Sequence, residues 1–203
     1  MDLTVDDWLN ILPRLGVKEA VARAWAPAFH SETQPSMFSQ GMDDIMAALP
    51  HLLHETGMLE QMEENLRYSA KRLMAVWPSR FPTPASAEPF ALNPQALANK
   101  VYGGRMGNVE PDDGWNYRGR AWGLTGRANY ALVGDWMGQD LVGMPHLIEG
   151  TYYALNSFRA YWEGAIPDNI LSDQTKMRRR YNGGLIGMEH VAQLHRRVLE
   201  VFA

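Results

Sequence analysis

The sequence predicts a mainly α-helical protein. Three observations carry this. Apolar residues recur at helical spacing along most of the chain, cap and stop residues bracket those runs, and no series of alternating strand segments is present. The 203 residues suffice for one large domain or two small lobes, and a content of 46% hydrophobic and 21% charged residues is that of an ordinary globule.

Taken in order, Thr4 caps a first helix, with Asp7 in the capping-box position. Trp8, Ile11, Leu12 and Leu15 form its apolar stripe, and Gly16 ends it. A second helix carries Val21 and Trp25 and is expected to stop near Pro27, with a loop over 30–41. The third helix carries Met42, Ile45, Met46, Leu49, Leu52 and Leu53 on one face. Pro50 marks either a kink or a new start in it, and Gly57 is its stop. Ser69 caps a helix with Leu73, Val76 and Trp77, ended by Pro78. Four prolines between 78 and 89 predict a stiff surface loop. Asn93-Pro94 opens the next helix and Gly103-Gly104 closes it. Residues 103–123, rich in Gly, Asp, Asn, Trp and Arg, read as a long loop, and such loops usually carry function. Thr125 is expected to cap a further helix. The stretch from Thr151 to Trp162 is aromatic and reads as buried. Met188, Val191, Leu194, His195, Val198 and Phe202 share one face of the last helix.

The net charge of −4 does not argue for nucleic acid, and no nucleic-acid partner is expected. From Lys176 onward six Lys or Arg face only Glu189 and Glu200, leaving +4 there and −8 elsewhere. A solvated helix face is the favoured reading of that basic end; attraction to an anionic wall polymer or membrane is the sharper one. There is no cysteine, hence no disulfide framework. The start, Met1-Asp2-Leu3-Thr4-Val5-Asp6-Asp7, is acidic and without an apolar run, so neither a secretory signal nor an anchor is expected. No segment approaches the apolar length of a membrane span.

The chemistry-bearing stretch is His54-Glu55-Thr56-Gly57 followed by Glu64-Asn65-Leu66-Arg67-Tyr68-Ser69-Ala70. Two carboxyl groups across one bond are what glycosidic hydrolysis needs. Glu55 falls at the edge of the apolar stripe beside Leu52, a half-buried place that favours the protonated form of a general acid. Glu64 is its natural partner, although spacing alone does not separate it from Glu60 and Glu63. A carboxyl separation of roughly 6.5–9.5 Å would admit a water and invert; about 5–5.5 Å would retain. His51 and His54 do not form a metalloprotease pair, because Met58 stands where the second ligand would be, so both read as partly exposed helix histidines and no metal is expected. Gly103-Gly104-Arg105-Met106-Gly107 follows a helix rather than a strand and is no dinucleotide fingerprint. Trp115, Tyr117 and Trp122 interleave with Asn116, Arg118 and Arg120. They are either sugar-stacking rings with polar partners or anchors that pin the long loop. Arg178-Arg179-Arg180 reads as surface charge, and Asn182-Gly183-Gly184 as a tight turn at a cleft wall.

Taken with Val101-Tyr102-Gly103-Gly104-Arg105-Met106-Gly107-Asn108, Gly114-Trp115-Asn116-Tyr117-Arg118-Gly119-Arg120 and Leu124-Thr125-Gly126-Arg127-Ala128-Asn129-Tyr130, these stretches resemble glycoside hydrolase family 19, in its small bacteriophage endolysin and chitinase-like branch. The resemblance implies a two-lobed, lysozyme-like helical fold with a central cleft. It implies inverting hydrolysis of β-1,4-linked N-acetylated amino sugars, with Glu55 as general acid and Glu64 as general base. Thr125 matches the hydroxyl that places the water, and Asn129 and Asn182 match substrate-binding asparagines. Arg118 and Arg120 match a basic pair that supports the cleft. Tyr68, Ser69, Trp115, Tyr117 and Trp122 complete the expected substrate-binding set. One departure stands out: the family reads Gly-Arg-Gly, two apolar residues, Gln, then Leu-Thr-Gly, whereas Arg120 here is followed by Ala121-Trp122-Gly123-Leu124-Thr125. One residue is missing, and Gly123 stands where a sugar-contacting Gln is usual.

The expectation is therefore a single catalytic domain over 1–203, without a separate wall-binding module and without a cofactor, acting as an endolysin-type glycosidase on peptidoglycan glycan strands. It would be a monomer with no stable membrane insertion, made in the cytoplasm without a signal peptide. A holin-like pore or a secretion machine would bring it to the wall. The alternatives are a chitinase, a wall-degrading toxin delivered between bacteria, and a glycan-binding decayed hydrolase.

Overall fold

The structure, a computed structural model, describes residues 2–203; Met1, the first residue of the acidic start, lies outside the described residues. The chain is almost entirely helical. Helix α1 (Val5–Leu15) is capped as its sequence demands: Thr4 Oγ1 accepts from the Asp7 N–H at 3.1 Å, and the Asp7 carboxylate accepts from the Thr4 N–H at 2.8 Å. Helix α2 (Glu19–Glu32) runs through Pro27, five residues beyond the expected stop. Pro27 and Arg23 both lie on the exposed face, so the carbonyl that proline leaves unpaired faces water. Buried Trp25, Ala26, Ala28 and Phe29 meanwhile hold the other face in the core. Helix α3 (Met42–Glu55) likewise continues through Pro50.

Helix α4 (Ala70–Val76) starts at Ser69, whose hydroxyl accepts from the Arg72 N–H. The expected loop over 78–89 instead holds a short helix α5 (Pro84–Ala87), started by a Thr83 capping box. It is no mere surface strap, because Phe81 and Ala87 are fully buried. Helix α6 (Pro94–Tyr102) has the Asn93 cap and first-turn proline read from sequence. A single turn, α7 (Asp113–Asn116), interrupts the long loop. Helices α8 (Arg127–Met137), α9 (Thr151–Ala165), α10 (Gln174–Asn182) and α11 (Met188–Phe202) complete the chain.

Thr125 does not cap α8. Gly126 holds the cap position at φ +90°, and any β-carbon there would run into the Met106 side chain. The orphan amides of α8 are met from another loop: Asn108 Oδ1 accepts from the Arg127 N–H at 2.7 Å, and the Met106 carbonyl accepts from the Ala128 N–H at 3.0 Å. The cap is thus supplied from about twenty residues upstream, and the Thr125 side chain takes no part in it.

Two apolar cores define two lobes. The larger is built by α1, α2, α3, α8, α9, α10 and α11; the smaller by Leu66, Leu73, Phe81, Ala87, Leu97, Ala98 and Val101. The lobes meet where the segment after α3 pairs with the long loop: Glu64 N–H donates to the Gly119 carbonyl at 3.0 Å, and Ala121 N–H to the Met62 carbonyl at 2.8 Å. Among the described residues no helix is long and apolar enough to cross a membrane.

His51, read from sequence as partly exposed, is fully buried, and neither ring nitrogen has a partner among the described residues. Its ring packs on Tyr181 (5.1 Å between centroids) and Trp162 (6.0 Å). Burial, with the Arg178 cation nearby, pushes the imidazole down to about 3 from its usual 6.5. A neutral His51 therefore contributes stability that is complete above pH 6.5 and is lost as the pH falls toward 3, because only the unfolded chain takes up its proton across that window. The slope is about 1.4 kcal/mol per pH unit. His51→Phe, which keeps a flat ring in place, is expected to flatten that slope in acid denaturation curves; an unchanged slope would show that another group sets it.

Candidate active site

Glu55 is the last residue of α3 and is half-buried. The turn after it is pinned by hydrogen bonds. The buried Thr56 hydroxyl donates to the Leu52 carbonyl at 2.7 Å and accepts from the Leu59 N–H at 3.0 Å. Met58 and Leu59 both sit in the left-handed region, at φ 64° and 68°. Two such non-glycine residues in succession store strain that the surrounding packing must hold. Arg178 reaches Glu55 from α10: Nη1 donates to Oε1 at 2.6 Å, while Nε and Nη2 both donate to the Ile186 carbonyl. Read from sequence as surface charge, Arg178 is 1% exposed; its neighbours Arg179 and Arg180 do face solvent.

Glu64 enters from the linking segment with both oxygens engaged. Oε1 accepts from the Gly119 N–H at 2.6 Å, and Oε2 accepts from the Tyr102 hydroxyl at 2.7 Å. Burial raises the Glu64 carboxyl above its ordinary value, opposed by the Tyr102 and Gly119 bonds and by Arg118. The helical spacing predicts a half-buried carboxyl at Glu55, as found, but gives no sign that Glu64 is buried as well. That burial comes with the pairing of the linking segment to the long loop, which a helical wheel does not register.

Glu55 and Glu64 line one open cleft of about 480 Å³, together with Gln61, Glu63, Asn65, Gly119, Ala121 and Gly123. Gly119 is pinched between Glu64 and Thr125. A β-carbon on it would lie 3.2 Å from Glu64 Oε1 and 3.3 Å from Thr125 Oγ1, so Thr125 stands beside Glu64. The Thr125 hydroxyl itself donates to the Gly123 carbonyl at 2.9 Å. A smaller hollow of about 230 Å³ continues past Gly123, lined by Thr125, Asn129, Tyr161 and Tyr181 among others.

Over 150 residues, 72% of this chain, the sequence is 33% identical to a Haemophilus influenzae protein described as a glycosyl hydrolase family 19 domain-containing protein, and the match covers 74% of that protein. The chain belongs to glycoside hydrolase family 19. No protein-family model matches it. Membership makes it a glycosidase of the chitinase- or lysozyme-like kind, in keeping with its two-lobed helical fold.

Against this family 19 frame, the remaining sequence-predicted residues divide. Arg118 is buried: Nε donates to Glu63, Nη1 donates to the Trp115 carbonyl at 2.8 Å, and the guanidinium lies 3.7 Å from the centre of the Trp115 ring. Arg120 donates to Glu149 at 2.6 Å and to the Asn116 carbonyl at 2.6 Å. Both arginines thus brace the loop that presents Gly119. Tyr117 and Trp122 are anchors rather than sugar platforms. Tyr117 is 5% exposed and donates to the Val142 carbonyl. Trp122 is 6% exposed, donates to Ser157 Oγ at 3.0 Å and packs on Tyr161. A ring closed in on its faces cannot lie on a sugar. Trp115 is half-buried under Arg118. Tyr68 is half-buried against Trp77, and Ser69 serves as a helix cap. Asn129 is exposed, its amide donating to the Thr125 carbonyl at 2.7 Å. Asn182 is exposed at the end of α10, outside the residues that line the cleft.

The sequence marks no catalytic part for Tyr102, Arg178 or Tyr181, yet Tyr102 holds Glu64 and Arg178 holds Glu55. Tyr102 sat inside one of the motif stretches, but nothing in its spacing marks a bond to Glu64. His54 shares a hydrogen bond with His190 (Nδ1 to Nδ1, 2.9 Å), and burial lowers its proton affinity. Among the described residues no three His, Asp or Glu side chains are placed to hold a metal ion.

Proposed function

We propose that the cleft hydrolyses β-1,4 bonds between N-acetylated amino sugars of bacterial peptidoglycan with inversion, Glu55 acting as general acid and Glu64 as general base. The observation that carries this reading is the pair of half-buried carboxyl groups on one open cleft, each held from a different part of the fold. In this reading Glu55 protonates the leaving oxygen while its other oxygen stays on Arg178. Glu64 takes the proton of a water aligned by the neighbouring Thr125 hydroxyl. Asn129 and Asn182 bind sugar substituents, and Arg118 and Arg120 hold the loop. The open Gly123 wall, where a β-carbon meets nothing within 4 Å, suits the branched muramyl residue better than a plain chitin strand. We also take the enzyme to meet the wall after release from the cytoplasm.

The test is mass spectrometry of fragments from purified peptidoglycan treated with the parent enzyme and with Glu55→Gln. Muropeptides from the parent alone support the reading, and their reducing-end sugar names the bond. Fragments from chitin but not from peptidoglycan would move the assignment to a chitinase. Binding without fragments from either would make it a decayed hydrolase.

The division of roles has its own test in Tyr102→Phe. The Tyr102 hydroxyl stabilises the ionised Glu64 carboxylate, so its loss raises the Glu64 carboxyl further. A base works only when ionised; the acidic limb of the kcat/KM profile is therefore expected to move to higher pH. A shift of the basic limb instead would make Glu64 the acid and exchange the two roles.

A further inference from the structure

The expected sugar platforms in the long loop are buried, yet one indole outside the cleft is not. Trp136, near the end of α8, is 40% exposed. A β-carbon on Gly164 would lie 2.8–2.9 Å from three adjacent atoms of its ring, so one face of the indole rests on the bare backbone of α9. The residue nevertheless stays open to solvent. Trp136 belongs to a hollow of about 380 Å³ whose polar members are Asn156, Arg159 and Glu163. Arg159 Nε is buried there without a partner among the described residues, although Arg159 Nη2 reaches Glu32 at 3.4 Å. A flat ring with an amide, a guanidinium and a carboxylate around it is the chemistry that binds a pyranose face and its hydroxyl or acetamido groups.

The hollow lies along the same helix as the extension of the cleft. Asn129, Leu132, Val133, Trp136 and Met137 follow one another at helical spacing along one face of α8. The first three line the extension of the cleft past Gly123, and the last two line the Trp136 hollow. Asn129, Leu132 and Trp136 are all exposed along this stripe. Trp136 lies about 10 Å from Asn129 along the helix axis, some two turns.

Resting on the glycan-cleaving reading above, we propose that Trp136 is a distal subsite that holds a remote sugar of the same strand whose scissile bond lies between Glu55 and Glu64. It adds affinity only to strands long enough to span both places. A stacking contact of this kind changes affinity roughly 3- to 10-fold.

The experiment uses the full chain carrying Glu55→Gln, which leaves the ligand uncut. It is titrated calorimetrically with peptide-free peptidoglycan glycan strands fractionated by length. Long strands are expected to bind tighter than short ones. Trp136→Ala should remove that gain and leave short-strand affinity as it was, and Trp136→Tyr should restore most of the gain. Gly164→Ala, which pushes the indole off its seat, should behave like Trp136→Ala. Equal weakening of short and long strands by Trp136→Ala would assign the residue a structural part and overturn the proposal. Equal binding of both lengths by the Glu55→Gln parent would overturn it as well. If that parent binds neither length and the unsubstituted enzyme cuts no peptidoglycan, the glycan reading itself falls.

Discussion

Glu55→Gln is expected to lower kcat/KM on peptidoglycan by about 10²–10⁴-fold, the range that a positioned general acid contributes. The change is close to isosteric. The amide oxygen of Gln can still accept from Arg178 Nη1, so the buried guanidinium keeps its partner and the melting temperature should move little. Lost chemistry with retained folding is what separates a catalytic carboxyl from a structural one. Lysis of outer-membrane-permeabilised bacteria at the parental rate by Glu55→Gln would remove Glu55 from the mechanism. A collapse in melting temperature alongside the lost activity would recast Glu55 as the counter-ion of Arg178.

Arg178→Met is expected to destabilise the fold by roughly 3 kcal/mol, the lower end of the cost of breaking a buried ion pair. The lower end applies because Glu55, unlike Arg178, keeps contact with water: their side chains are 22% and 1% exposed. Met fills much of the space of the arginine stem, so the loss is chiefly of three donated bonds, one to Glu55 and two to the Ile186 carbonyl. For a chain of this size the melting temperature should fall by about 6–12 °C. Activity should fall too, because α10, the turn carrying Ile186 and the Glu55 carboxyl are tied through this one side chain. Thermal denaturation together with kcat on soluble glycan strands checks both parts. A stable but inactive Arg178→Met would make Arg178 purely a positioning residue for Glu55. A stable and fully active one would refute the coupling.

Most of the helices were legible because capping and periodicity are local. Thr4 with Asp7, Ser69, Asn93 with Pro94, and the stripe of α11 each act within a few residues, and the structure repeats them. Pro27 misled where tertiary burial outweighed a local rule. Pro27 and Pro50 break no helix, because the apolar faces of α2 and α3 are held in the large core. Thr125 misled for the opposite reason: a cap supplied by Asn108 from a distant loop leaves no trace in the residues beside it.

By itself the sequence determined a mainly helical chain, the stretch that carries Glu55 and Glu64, and the motifs that resemble family 19. Each rests on residue type and short-range spacing. Only the tertiary structure decided what surrounds those carboxyl groups. It drew Arg178 onto Glu55 across 123 positions and Tyr102 onto Glu64 across 38. It closed Trp122 and Tyr117 into the core, and it left Trp136 open on α8. Burial and long-range hydrogen bonds are properties of which surfaces meet. A one-dimensional pattern specifies which faces are apolar, but not which distant polar group will be drawn in beside them.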